Sequence, residues 1–539
     1  MSRFVQLPGS RRTLLPHSRP AGPVNRSEIA TITVRVRSIG NPTGLKDFIR
    51  EQSSKRVAER TYLSRDELAA RYGADPADLT RVEQYAAQQN LYVVNRSAAR
   101  RTIVLQGTLG DLLRAFPTNV SLYHHSLGSY RGRTGEIQIP EELGETITGI
   151  FGFDTRPKRR SSFRSRISAG AGPGGDNGEP ASFFAQRYQF PQIFQGTPLN
   201  GAGQNIGIIE LGGGYQTCDL TVYFQEIGAP MPSVSFVSVD SAGNNPGVDQ
   251  NSDGEVMLDI EVAGVVAPKA NLFVYFAPNT DQGFIDAISA AVHDTERQID
   301  VISISWGSPE PDLKSNPDEK QELDAYSELF QAAASVGITV CVATGDHGTA
   351  DEENWDGEIH VDHPAGDPYV LACGGTQIDP ASGNDITWNE GTGSDPDATN
   401  GIGWASGGGI SKCFSVPNYQ ANANLPVSID GAGAGRGIPD IAMSAADYFV
   451  RVDSAEFMSG GTSAVAPLMA ALVALLNQGK QKNVGFLNPF LYSTQGVVTD
   501  VTQGTNGFPP SVPGYNAGAG WDACTGLGTP IGTAILNLL

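Results

Sequence analysis

Three sets of residues have the types and spacing for nucleophilic or acid–base chemistry. Ser463 follows Gly460, Gly461 and Thr462 and leads an apolar run with small residues at helical spacing (AEFMSGGTSAVAPLMAALVALLNQGK, 455–480). The glycine pair predicts a tight turn feeding a buried helix, with Pro467 early enough to be tolerated. A hydroxyl there is presented beside backbone N–H groups that no helical carbonyl satisfies. That setting suits a nucleophile, and it suits equally a Ser/Thr cap on a core helix; partners elsewhere must decide. Glu255 and Asp259 stand four apart in EVMLDIEVAGVVA (255–267), so a helix puts them on one face. Two carboxylates so placed, if partly buried, resist double ionisation and one pKa rises, which makes a general base for acid conditions. A solvated acidic face has the same spacing, but the rest of this helix is apolar. Asp346 ends the strand-like ITVCVATG within TGDHGTAD. A protonated Asp at a strand end can donate to a developing oxyanion, and an Asp in an Asx turn would only order the loop.

Other groups invite and fail simpler readings. His347, in DHGT, offers a base for a Ser-His-Asp set, yet it follows the strand directly, where an oxyanion-stabilising group would lie. His360 and His363 (HVDH) resemble two metal ligands without the rest of a zinc motif, and a surface loop is their expected home. Residues 249–260 imitate the start of an EF-hand, but Ile260 stands where the bidentate Glu is required, so that site is rejected. Asp500, Gly518, Gly520 and Asp522 have the donors to wrap an oxygen-loving cation with carboxylates and backbone carbonyls.

The elements that must position these groups fall into two patterns. Over 1–155 strands and helices mix on an antiparallel plan: 28–38 and 92–107 read as strands, 65–90 as helix broken near Gly73–Pro76, and 109–116 as a short helix. A basic, then Gly- and Pro-rich stretch (156–180) predicts an exposed, mobile and easily cut linker. From 181, strands at 205–211, 270–277, 300–307 and 338–345 alternate with helices at 255–267, 284–294 and 322–337. This predicts an α/β catalytic domain (181–539) with a doubly wound parallel sheet and function at the C-terminal strand edges.

Bulk numbers narrow the class. A chain of 539 residues, 40 % hydrophobic and 18 % charged, is globular and long enough for more than one domain. Residues 1–180 carry a net +10 and 181–539 a net −31, together −21. An attached acidic surface makes an intramolecular partner a better reading of the basic part than nucleic acid. The scarcity of bases in 181–539 suits work at low pH. The N-terminus lacks the apolar core of a secretory signal, and 463–477 is too short and Pro-interrupted to span a bilayer, so no membrane segment is expected. Five dispersed cysteines without C-x-x-C indicate neither a disulfide framework nor a zinc ribbon.

IIELGGGY (208–215), GEVMLDIEVAG (254–264), SISWG (303–307), GDPYVLACGGT (366–376), GGTSAVAP (460–467) and GWDACTGLGTPIG (520–532) together resemble the sedolisins, or serine-carboxyl peptidases. The basic domain ending in FGFDTRP (151–157) is similar to that family's propeptide. The resemblance implies a subtilisin-like fold behind a ferredoxin-like prodomain, and a secreted, monomeric endopeptidase made as a zymogen that its own prodomain inhibits until self-processing in acid. By motif, Ser463 is the nucleophile, Glu255 the base, Asp259 its orienting partner and Asp346 the oxyanion-hole residue. Glu210 and Trp306 extend the hydrogen-bond chain, and Asp362 is a substrate-pocket carboxylate. It also implies one Ca2+ held by Asp500 and Asp522 side chains and by the backbones of Val501, Gly518 and Gly520. The rival readings are a neutral-pH subtilase using His347, which a pH–rate profile separates, and an inactive calcium-binding homologue, which a digestion assay separates.

Overall fold

The computed structural model describes residues 3–539 except 16, 126–127, 158–159, 162–163, 168–171, 175–176, 312, 314–315, 353–354, 397 and 399–400. Parts of the expected 156–180 linker therefore lie outside the described residues.

In the N-terminal part, β1 (Ile29–Val36) is followed by α1 (Pro42–Ser53), α2 (Arg65–Tyr72), α3 (Pro76–Gln88), β2 (Tyr92–Ser97), β3 (Thr102–Thr108), α4 (Leu109–Ala115) and β4 (Ile147–Phe151). The antiparallel sheet order β2-β3-β1-β4 is that of a ferredoxin-like fold. The helical run expected over 65–90 is two helices, for the reason its sequence carries: Ser64 and Glu67 form a capping box on α2, and Asp75 caps α3 ahead of Pro76. The inward side chains of β1, including Ile32, Val34 and Val36, meet Leu79, Val82 and Leu112 in a core of their own.

Two short strands of the linker stretch follow, β5 (Arg160–Ser161) and β6 (Arg164–Ile167). Beyond them come β7 (Asn205–Glu210), β8 (Ser233–Ser238), α5 (Gln250–Val266), β9 (Asn271–Phe276), α6 (Asp281–Val292), β10 (Val301–Ile304), β11 (Trp306–Pro309), α7 (Gln321–Ser335), β12 (Thr339–Ala343), β13 (Asp362–His363), β14 (Leu371–Ile378), β15 (Asp385–Thr387), β16 (Ile441–Ser444), β17 (Tyr448–Val452), β18 (Ala455–Gly460) and α8 (Thr462–Lys480). The central sheet runs β8-β9-β7-β10-β12-β14-β15, with β16 also on β14; all pairs are parallel except β14–β15. Helices α5 and α8 are buried almost throughout and pack directly on each other in one core, α5 with carboxylates among its apolar side chains. By length and composition α8 could cross a membrane, but here it is a core helix.

The two parts meet along β1, α1 and β4 on one side and α6 and α7 on the other, and the cations stand on the N-terminal side. Arg12, 7 % exposed, pairs with Asp281, with Glu322 at 3.0 Å and with Glu319 at 3.8 Å. Arg35 lies 3.1 Å from Glu328, which Arg101 also contacts. Burial pushes the Glu328 carboxyl up, but Arg101 and Arg35 outweigh it and hold it below the ordinary range. A carboxylate depressed in the complex contributes fully above its free pKa, and the contribution is lost as pH falls through the depressed value. Protonation of Glu328 then removes the charge that the buried Arg35 guanidinium faces across the interface. A chain nicked in 168–171 should therefore stay associated at pH ~7 and separate near pH ~3 on gel filtration; co-elution at both would show that ion pairs do not hold the interface.

Candidate active site

The candidate groups sit at strand ends and on two buried helices. β18 runs into Gly461, whose φ of 108° and ψ of 164° are essentially open to glycine only, and α8 starts at the next residue. The turn buries Ser463 in the first helical turn, with Oγ 3.3 Å from the Ser305 carbonyl that accepts its proton. Pro467 has no N–H, so the Ser463 carbonyl lacks its helical donor, and Ser305 Oγ lies 3.3 Å from it.

Helix α5 brings Glu255 and Asp259 to the same place, both fully buried. The helix starts five residues before the 255 expected from its apolar run, because Asp249 caps it by accepting from Asn251 N–H. The residues that imitated an EF-hand are therefore its N-cap and first three turns. Ser305 Oγ is 2.9 and 3.0 Å from the two Asp259 oxygens. Glu210 ends β7 and accepts from Trp306 Nε1 at 2.9 Å. Burial, then the charges of Asp259 and Glu255, push the Glu210 carboxyl up. Burial and Glu255 push Asp259 up, against the Ser305 hydrogen bond. Three carboxyls in one dry cluster favour a single negative charge shared among them.

Asp346 lies beyond β12 and caps α8 from outside: its Oδ1 accepts from Thr462 N–H and from Thr462 Oγ1, both at 2.8 Å. His347 turns away from this group, with Nε2 2.8 Å from Asp395 Oδ2; none of its described hydrogen bonds is with Ser463. His360 pairs with Asp356 at 3.1 Å. His363 departs from its expected surface loop. It is buried in β13, with its ring 5.0 Å from Tyr326 and 6.3 Å from Phe414, because two aromatic faces offer the imidazole a dry seat. No group of three or more metal-ligating side chains occurs among the described residues.

Asp362, also in β13, packs on the bare Cα of Gly307, where its carboxylate leaves no room for a Cβ. At the far loop Asp500 Oδ2 accepts from Gly520 N–H at 2.8 Å, and Asp522 Oδ2 accepts from Gly518 N–H at 2.9 Å. The structure thus gathers the two carboxylates and the glycines, with open space where a Cβ at either glycine would stand.

The linker stretch threads this site. β5 lies antiparallel on β11, Arg160 opposite Gly307 and Ser161 opposite Trp306. β6 lies antiparallel on β18, from Arg164 opposite Gly460 to Ile167 opposite Phe457. These described residues are therefore docked strands rather than the mobile tether expected from composition, since open strand edges beside a cleft capture extended chain. Sequence reading also missed Ser305, Thr462 and Asp395. Ser305 lay within the SISWG run, but only the fold shows that its hydroxyl bridges two elements.

Residues 16–156 match the family described as the pro-kumamolisin activation domain, and 239–497 match the subtilase family. The chain is 41 % identical over 548 residues to kumamolisin of Bacillus sp. (strain MN-32), covering 99 % of this chain and 96 % of that one. It is 28 % identical over 592 residues to tripeptidyl-peptidase sed5 of Aspergillus fumigatus, covering 99 % and 97 %. Among solved structures, Pseudomonas sedolisin complexed with pseudo-iodotyrostatin superposes with a TM-score of 0.56 at 30 % identity, covering 65 % of this chain and 96 % of that one.

Proposed function

Since this chain belongs to the sedolisin family of serine-carboxyl peptidases, with an activation domain ahead of a subtilisin-like peptidase domain, we propose that it is a secreted, acid-active endopeptidase that processes itself. The observation that carries this reading is the buried Glu210–Glu255–Asp259 cluster beside Ser463, a base built from carboxyls. With Glu255 ionised and Asp259 protonated, Ser463 passes its proton to Glu255 as Oγ attacks the peptide carbonyl. A protonated Asp259 can donate to Ser305 Oγ, whose own proton then turns to the Ser463 carbonyl that Pro467 leaves without a helical donor. One proton thereby ties the orienting carboxyl to the nucleophile's backbone. Asp346, whose Oδ1 accepts from Thr462, would donate a hydrogen bond to the oxyanion, with Ser463 N–H assisting. The amine leaves with the proton from Glu255, and water then hydrolyses the acyl-enzyme by the reverse route.

Imidazole would be charged throughout this range and useless as a base. Casein digestion should therefore peak in acid, at about pH 3–5, rising as one proton leaves the carboxyl set and falling as a second does; a rate climbing through pH ~7 would point instead to a histidine base.

The docked linker supports both self-cleavage and endopeptidase action. It enters on β11 and leaves on β18, so the cleft takes a chain that continues at both ends, whereas a tripeptidyl-peptidase must close one of them. Asp362, beside the position opposite Arg160, suits a basic side chain on the acyl side. The self-cut belongs between Ser161 and Arg164, and sequencing of the acid-processed enzyme should first find an N-terminus at residue 162, 163 or 164; an intact chain that digests casein would sink self-processing.

The Asp500 loop fits Ca2+ by its donors: two carboxylates and the carbonyls of Val501, Gly518 and Gly520 are the hard oxygens this ion takes. Burial pushes the Asp522 carboxyl up, a cost that a bound cation would offset. Bound calcium would supply charge neutralisation to this loop. Chelation should lower Tm by several degrees, reversibly with Ca2+ and only weakly with Mg2+; an unchanged Tm would remove the ion from this reading.

A further inference from the structure

Helices α6, α7 and α8 end at the edge where the parallel strands begin, opposite the edge that carries Glu210 and Asp346. Thr339 Oγ1, at the start of β12, donates to the Gly485 carbonyl at 2.6 Å and so holds the turn after α8 at this edge. The last carbonyls of a helix have no partner within it and form the negative end of its dipole, so such an edge attracts donors and cations. One stretch of the N-terminal part supplies them: residues 54–64, which connect α1 to α2, together with Arg65. Leu63 N–H donates to the Ser335 carbonyl at 3.0 Å, where α7 ends. Arg65 Nε donates to the Val292 carbonyl, where α6 ends, at 3.0 Å, and its Nη2 to the Ile299 carbonyl at 2.7 Å. Tyr62 Oη, at 2.9 Å, and the buried Arg60 guanidinium both donate to the Val484 carbonyl in the turn after α8.

Shape agrees with the hydrogen bonds. The Tyr62 ring lies against Gly337 and Gly485 and leaves no room for a Cβ at either. Val57 and Leu63 pack outside the core of their own part: Val57 joins the cluster of Leu476 and Val484, and Leu63 that of Ile299 and Ile338. Ala58, Glu59 and Thr61, between them, face solvent. The place is remote from the cleft. Val484 N–H donates to Asn477 Oδ1 at 2.8 Å, and Asn477 lies about 21 Å along α8 from Ser463 at 1.5 Å per residue. We propose that the peptidase domain carries here a second peptide-binding site, separate from the cleft, for a segment with a Tyr-Leu pair between two arginines. Its occupant is the connector 54–65, which the site still recognises after the linker is cut. The proposal uses the activation-domain reading and none of the catalytic one.

The test uses the Ser463→Ala chain, cut by trypsin in its basic 156–166 stretch and freed of residues 1–155 at pH ~3, with the fold checked by circular dichroism. A fluorescein-labelled peptide of residues 54–66 should bind at pH ~7 with a Kd of roughly 10–100 µM, read by anisotropy. Tyr62→Ala or Arg60→Ala in the peptide should each weaken binding at least roughly tenfold, and Glu59→Gln should leave it unchanged. An excess of unlabelled 156–167 peptide, which belongs in the cleft, should displace none of the probe. No saturation by ~1 mM, equal affinity of the Tyr62→Ala peptide, or displacement by the linker peptide overturns the site. Full-length Tyr62→Ala gives an independent reading: once nicked, it should release residues 1–155 at a higher pH than the parent on gel filtration. Unchanged release would also overturn the site. Parent enzyme that digests no casein counts against the peptidase reading alone and leaves this binding assay unaffected.

Discussion

Ser463→Ala is expected to give a folded, full-length chain that cleaves neither casein nor its own 156–180 segment. The loss should be roughly 10⁴-fold or more, because removal of the nucleophile leaves only binding and oxyanion stabilisation. Folding should be little affected. The hydroxyl makes one described hydrogen bond, to the Ser305 carbonyl, and the helix it opens is held by apolar burial and by Asp346 capping Thr462. Gel filtration, circular dichroism and mass spectrometry after acid incubation would establish both points. Efficient self-cleavage by this variant, free of contaminating peptidase, would remove Ser463 from the chemistry.

Glu255→Gln should abolish activity almost as fully, by roughly 10²–10⁴-fold, since an amide accepts no proton at any pH where the fold survives. His347→Gln should stay within a few-fold of the parent with its acid optimum unmoved, because His347 is bonded to Asp395. The carboxyl cluster also bears on stability. Burial and neighbouring charge raise Glu210 and Asp259, so the folded state binds protons more tightly than the unfolded one. Their effect on stability is then least costly below the unfolded carboxyl range and grows as pH rises towards the raised values. The parent should accordingly lose thermal stability as pH rises above the ordinary carboxyl range, and Glu255→Gln, which removes the charge that both carboxyls face, should lose less. A variant that melts lower than the parent across this whole range would contradict a strained carboxyl cluster.

How far the residues announced themselves depended on how local their physics is. Glu255 and Asp259 were legible because one helical turn fixes their proximity, and Ser463 because a glycine pair before an apolar run can only be a sharp turn into a buried helix. The parallel sheet followed from strands alternating with helices, although α5 begins five residues before its apolar run. Asp346 was placed by the strand that precedes it, but its hold on Thr462, 116 residues away, exists only in three dimensions. Ser305 was invisible for the same reason: a serine between two strands has no signature until Asp259 and the Ser463 carbonyl arrive on either side. The buried home of His363 needed Tyr326 and Phe414 from other elements. The charge split of +10 and −31 pointed to an intramolecular partner, but not to which arginine meets which carboxylate. The linker shows the limit most clearly, because its composition describes a loose tether and only the open edges of β11 and β18 turn it into docked strand.

The arginine-to-carboxylate interface has a consequence for timing. While the chain is intact, the covering part is present at a local concentration set by its tether, which neither expression level nor the volume outside can alter. A single cut turns that fixed quantity into an ordinary bimolecular equilibrium. From then on mere dispersal works against re-capture, and the more dilute the surroundings, the longer each enzyme stays uncovered. On the proposed reading acid would begin the release, and spreading out would make it last.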